Sequence, residues 1–185
     1  GILILIFSIL IFIALISYSP NDPNFIYPKN QEINNILGIN GSIGADFLLQ
    51  SIGLISYFVP ITLIFLSIKI IYRKELIQII SSFFYIVCYS ITGAIFLTQF
   101  YKEAFFLIIN GNGGFVGNYL YNDVFFKISN LNVKISYYFQ LSLFISLFLL
   151  SIKFRLIWFS FIKKIYKKDK IIKPTDNSGF VNEIS

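Results

Sequence analysis

From Ile77 to Tyr101 the chain carries no formal charge. Lipid offers backbone N–H and C=O groups no partner, so a segment crossing ~30 Å of hydrocarbon must satisfy them internally, which ~20 apolar residues in a helix do. The run therefore predicts a transmembrane helix over 78–100. Three further segments, 1–18, 46–69 and 135–158, meet the same standard. Composition agrees, with 56% hydrophobic and only 13% charged residues, far from the balance of a soluble domain. The chain reads as an all-α membrane protein, with four transmembrane helices in an antiparallel bundle over 1–162. A basic tail and the start of a linker follow over 163–185.

Each span has its own detail. The first is uncharged and short. Because the chain starts at Gly1 and contains no Met, further helix residues are expected upstream. It lacks the basic n-region and the small-residue cleavage site of a signal peptide, so it reads as a retained span. The second contains Pro60, which removes a backbone donor and clashes one turn back, predicting a kink between Ser56 and Pro60. The fourth reaches Lys153 and Arg155, whose heads can snorkel to the lipid headgroups, with Trp158 and Phe159 at the interface.

Lys and Arg near span ends are retained on the cytoplasmic side. Lys69, Arg73 and Lys74 crowd the turn between spans two and three, and Lys163, Lys164, Lys167 and Lys168 follow span four. The other two loops are sparse in basic residues. Both termini are thus expected to be cytoplasmic, and "SYSPNDPNF", 17–25, is where span one emerges outside. Pro20 and Pro23 end the helix there, where water can satisfy the freed backbone. The cluster "KKIYKKDK", 163–170, could also signal anionic lipid or nucleic acid. Its place directly behind a span needs only topology.

Catalytic chemistry has little to draw on. There is no His, hence neither the usual general base nor the commonest metal ligand. Cys88 is alone, no phosphate-binding loop occurs, and no acidic residue lies in the centre of a span. No catalytic, cofactor or metal site is expected. Asp46 reads as a residue at the start of span two, favoured by the helix dipole.

Two glycine clusters remain. "GNGGFVGNY", 111–119, resembles a dinucleotide fingerprint, but it follows a membrane span where that motif needs a strand, so it reads as a turn or short helix. "GINGSIGAD", 38–46, is either a helical stripe of small residues or a turn with Ser42 capping span two. The Asn40-Gly41 dipeptide favours the turn. The outer loops, 19–45 and 101–134, have room for short interfacial helices. They carry Phe25, Ile26, Tyr27, Phe115 and Tyr119, which suit either a partner protein or the bilayer surface.

In order, these features resemble the N-terminal membrane domain of FtsK/SpoIIIE-type DNA translocases. Ser17, Pro20, Asp22 and Pro23 match the pattern ending that family's first span. Asn35, Gly38, Gly41, Ala45 and Asp46 match the stretch leading into its second, with small spacing differences, and Gly113, Gly114 and Gly117 match its outer loop. The resemblance covers essentially the whole chain. It implies an inner-membrane anchor that localises a translocase to the division septum, with the lipid bilayer and division membrane proteins as partners. It also implies a homohexamer in the full-length protein, with DNA contacted by a downstream ATP-driven motor and not by this segment. A small transporter or channel is the rival reading. It would call for intramembrane ionisable groups or matching helix breaks in two halves, and Pro60 has no counterpart in span three or four.

Overall fold

The computed structural model describes residues 1–23, 32–73, 77–101, 107, 109–125 and 132–152. These are helical apart from the connections, and they fall within one unit, Gly1–Ile152. Helix α1 is Ile2–Ile16 and α2 is Gly38–Ile52. A 3₁₀ turn over Gly53–Tyr57 leads into α3, Phe58–Arg73. Then come α4, Ile77–Phe100; α5, Gly114–Leu120, followed by a π turn over Tyr121–Phe125; and α6, Val133–Ser151.

Three of these stretches are long and apolar enough to cross a membrane, namely Gly38–Tyr72, Ile79–Phe100 and Val133–Ser151, while Ile2–Ile16 is apolar but shorter. Large apolar side chains such as Ile80, Phe83, Tyr138 and Phe139 point outward. In water they would be a liability; against lipid tails they are solvated.

With little hydrophobic drive between helices in lipid, association rests on close packing and interhelical hydrogen bonds. Both are present. Phe58 sets its ring edge-on to Phe144 and Phe148 at 5.3 and 5.0 Å, and Tyr89, fully buried, meets Phe148 at 5.7 Å. Thr62 Oγ1 lies 3.1 Å from Tyr89 Oη and 3.3 Å from Ser151 Oγ, which joins α3, α4 and α6. Farther along, Gln140 Nε2 donates to Gln99 Oε1 at 2.7 Å. Gly93 of α4 gives room to Ile55 and Phe144, whose side chains a Cβ would meet.

Helix ends are closed locally. Asn132 caps α6 by accepting the Lys134 N–H at 3.1 Å. At the other end of α6 the Lys69 ammonium donates to the Ile152 carbonyl, and Ser82 Oγ donates to that of Ser151 at 3.3 Å. The ends of α3 and α6 and the start of α4 therefore share one region. Tyr101 and Tyr137, 3.0 Å apart through their hydroxyls, join the end of α4 to the start of α6.

One expectation changes. Residues 38–45 are not a turn: α2 begins at Gly38, and Asp46 is its ninth residue rather than a residue at its start. Ser42 caps nothing and instead donates to the Pro23 carbonyl at 2.9 Å. The reasons are a local contact before the helix and the long-range approach of Pro23. Asn35 Oδ1 accepts the Leu37 N–H at 3.1 Å just before the helix, and Gly41 packs directly on Asn35 and Leu37. These contacts outweigh the turn preference of Asn40-Gly41.

Span two also carries a 3₁₀ turn at Gly53–Tyr57, which overlaps the stretch from Ser56 to Pro60 where a kink is expected. Gly53 has φ +64, a conformation open to glycine and strained for other residues. Ser56 Oγ covers the freed carbonyls of Leu48 and Gly53 at 2.8 and 2.6 Å. Pro60 follows in the first turn of α3, where its missing N–H is one of the helix's orphans in any case.

Candidate functional site

The motif residues converge at one end of the bundle in two clusters. The first is centred on Asp22, only 1% exposed. Its Oδ1 accepts the Asn34 backbone N–H at 2.9 Å and the Asn34 side-chain amide at 3.1 Å, while Oδ2 accepts the Asn35 N–H at 2.8 Å. Asn35 in turn donates from Nδ2 to the Ala14 carbonyl at 2.8 Å and to that of Ser17 at 3.3 Å. Ser17 Oγ accepts the Ile36 N–H at 3.2 Å.

Each partner has a local reason to be there. Ser17 ends α1 by donating to the Ile13 carbonyl at 2.8 Å, which leaves its lone pairs for Ile36. Asp22 sits in a turn closed by its own N–H on the Ser19 carbonyl at 3.1 Å. Pro20, at the exposed crest, and Pro23, buried behind it, restrict the backbone on both sides. The cluster therefore clamps the end of α1 onto the start of α2. Gly41 and Ala45, both buried, supply the flat surface that lets the helices meet.

The second cluster is built from glycines. Gly113 and Gly117 lie against the Ala94 carbonyl and Thr98 of α4, closer than any side chain would permit. Gly114, at φ +67, packs on the backbone of Ser51, Ile52 and Gly53, and a Cβ at Gly53 would strike the Asn112 carbonyl. That carbonyl accepts the Leu54 N–H at 2.9 Å, satisfying a donor freed where α2 breaks. So α5 lies flush in the angle between α2 and α4. Its other face presents Phe115 and Tyr119, stacked at 6.0 Å and exposed.

A polar chain links the two clusters. Tyr18 Oη donates to Asp46 Oδ1 at 3.0 Å, and Gln50 Nε2 reaches the same oxygen at 3.5 Å. Asn110 Nδ2 donates to Gln50 Oε1 at 2.9 Å, and Asn118 Nδ2 to the Asn110 carbonyl at 2.6 Å. Sequence reasoning passes over Tyr18, Asn34, Gln50, Asn110 and Asn118. The available signal is polarity at the edge of apolar runs, which marks a residue as unusual without naming its partner.

Of the topological basic residues, Lys69 holds the end of α6 and Arg73 is the last residue of α3. Lys74, Lys163, Lys164, Lys167 and Lys168 lie outside the described residues, as do Phe25, Ile26 and Tyr27. Among the described residues no group of three or more metal-ligating side chains comes together. What the arrangement provides is a rigid, hydrogen-bonded cap on a membrane bundle.

Residues 1–166 match the family model described as the 4TM region of DNA translocase FtsK/SpoIIIE. The chain belongs to this family. Among curated proteins and solved structures, none matches it. The matched region takes in both clusters and all six helices, so the FtsK/SpoIIIE membrane region is here a set of apolar helices whose motif residues lock one end. As a membrane-anchoring region it associates with the bilayer.

Proposed function

We propose that this chain anchors a DNA translocase in the bacterial inner membrane and brings it to the division septum, coupling chromosome segregation to division without motor activity of its own. The observation carrying the reading is the family match over residues 1–166. The four apolar stretches act as spans of an antiparallel bundle, with both termini cytoplasmic. The shared region of Lys69, Ser82 and Ile152 supports this, because it gathers the ends that the basic residues assign to the inside. The Asp22 cluster and α5 then face outward, where the exposed Phe115 and Tyr119 offer contact to division membrane proteins. DNA is left to a motor joined through the tail, and a homohexamer to the assembly of that motor.

Fluorescent fusions of the chain in dividing cells test the reading. The unaltered chain is expected at the septum. Replacing Phe115 and Tyr119 with Ser is expected to weaken that recruitment while membrane insertion persists. A chain spread evenly over the membrane in every form overturns the localising role.

A further inference from the structure

A polar cavity of about 360 Å³ opens where the end of α4 meets α5 and the π turn. Four asparagines line it, Asn110, Asn112, Asn118 and Asn122, and none of its described lining residues is charged. Tyr101 and Tyr121 add two aromatic residues to the lining, and Thr98, whose hydroxyl is itself buried, stands behind them. Tyr101 is 47% exposed and Asn122 is exposed, so the cavity is reachable from outside.

Three of the carboxamides are held in place by the protein. Asn110 Nδ2 is engaged by Gln50, Asn112 Nδ2 donates to the Tyr101 carbonyl at 2.9 Å, and Asn118 Nδ2 to the Asn110 carbonyl. Fixed polar groups give up little freedom when a ligand arrives. The wall also includes Tyr121 and Asn122 from the π turn, an irregularity found frequently at functional sites.

The lining selects a ligand class. Among the described lining residues a charged molecule would find no countercharge in return for the hydration it surrenders, and an apolar one would leave the carboxamides facing it without partners. Extended peptides dock along sheet edges or in apolar grooves, and the described residues include no strand. Sugar hydroxyls both donate and accept, as carboxamides and phenols do, and the flat C–H face of a sugar ring suits an aromatic neighbour. The volume lies at the small end of the range for small-molecule sites, ~300–1,000 Å³, room for about one ring with a substituent. We infer that this cavity binds an uncharged sugar residue. In the proposed orientation it opens on the outer side of the membrane.

Saturation-transfer NMR on the whole 185-residue chain in nanodiscs, which leave both faces open, tests this without depending on orientation. Glucose, N-acetylglucosamine, cellobiose and chitobiose are the probes, with glucuronate, glucosamine and N-acetylalanine methylamide for comparison. At least one uncharged saccharide is expected to bind, and the charged sugars and the peptide amide about tenfold or more weakly. Asn122→Ala, at an exposed position, is expected to weaken saccharide binding about fivefold or more with the thermal midpoint unchanged. The competition on the unaltered chain stands even if that variant misfolds. No transfer from any uncharged saccharide, equal transfer from the peptide amide, or unchanged binding in a folded Asn122→Ala chain overturns the proposal.

Discussion

The Asp22 carboxylate accepts the backbone N–H of Asn35 at 2.8 Å, joining the end of one helix to the start of the next across thirteen residues of chain. Hydrogen bonds from N–H groups compensate a buried carboxylate for the water it gives up. Among the described residues three N–H groups point at Asp22, two from backbone and one from the Asn34 side chain. The same residue that reads in sequence as punctuation between two prolines is the centre of a clamp.

Asp22→Ala removes the acceptor and leaves the Asn35 N–H buried without a partner, while the donors of the exposed Asn34 can turn to water. The expected loss is about 2–4 kcal/mol, given about 1.5–3 kcal/mol for a hydrogen bond to a charged group and the added penalty for the orphaned donor. Asp22→Asn keeps one acceptor oxygen but turns an amide toward N–H groups, so it should fall between the two. Thermal unfolding in detergent, followed by the helical circular dichroism signal, ranks the three proteins. Equal midpoints would show that the clamp contributes nothing.

Gly53 and Gly44 make a matched pair. At Gly53 a side chain meets both a left-handed φ and the Asn112 carbonyl, whereas at Gly44 nothing lies within 4 Å. Gly53→Ala is expected to destabilise by about 1–3 kcal/mol or more, since the strain cannot be relieved without moving α5. Gly44→Ala, in the middle of α2, is expected to be neutral or to stabilise by up to about 1 kcal/mol through helix propensity. Comparing the two unfolding midpoints separates backbone demand from glycine content as such.

The uncharged run 77–101 and the apolar tract behind Pro60 specify helices by themselves, because lipid leaves the backbone no alternative, and α3 and α4 appear where those stretches lie. Residues 38–45 are different. Asn40-Gly41 favours a turn locally, but the Asn35 side chain holds the Leu37 N–H just ahead of the helix, and the approach of Pro23 to Ser42, which no local pattern encodes, adds to it. The glycines of α5 are visible as a cluster, but their purpose is not. Close approach to Ala94 and Gly53 is a relation between distant segments, and one chain without distances cannot show it. The pairing of Gln50 with Asn110 is hidden for the same reason.

Tyr89→Phe probes the junction of α3, α4 and α6. It keeps the ring that packs on Phe148 and deletes the hydroxyl beside Thr62. Thr62 retains the Phe58 carbonyl at 3.1 Å and Ser151 nearby. The expected loss is therefore small, about 0.6 kcal/mol and at most about 1.7, the range for interhelical hydrogen bonds in membranes. Stepwise denaturation in mixed micelles measures it. A loss above about 3 kcal/mol would mean that the hydroxyl organises more than this junction.

Topology is read by single cysteines placed in a chain whose Cys88 has been changed to Ser. With the outer-face assignment, membrane-impermeant reagent added to intact spheroplasts should label Asn122→Cys and Asn30→Cys and spare Lys74→Cys. Permeabilisation should then expose the last. The basic residues around Lys69 to Lys74 predict this order, since moving them across the membrane is opposed during insertion. The reversed pattern would place the clamp and the cavity inside and remove the ground for outer-face partners.

Assembly separates the anchor from the motor. Gly53 and Gly93, the small residues suited to close helix contact, are already occupied within one chain: Gly53 by Asn112, and Gly93 by Ile55 and Phe144. The described residues thus spend their tightest packing inside the bundle, while the outward faces of α4 and α6 carry Phe83, Phe84, Tyr138 and Phe139, bulky groups that lipid tails solvate as well as a neighbouring protein would. A hexamer of the complete translocase would then draw its cohesion from the motor, with six anchors held near one another by their linkers. Chemical crosslinking of residues 1–185 in membranes should yield mainly monomer, and the same treatment of a chain carrying its motor should yield hexamer. A stable hexamer from residues 1–185 alone would assign assembly to the membrane region and place an interface on faces here read as lipid-exposed.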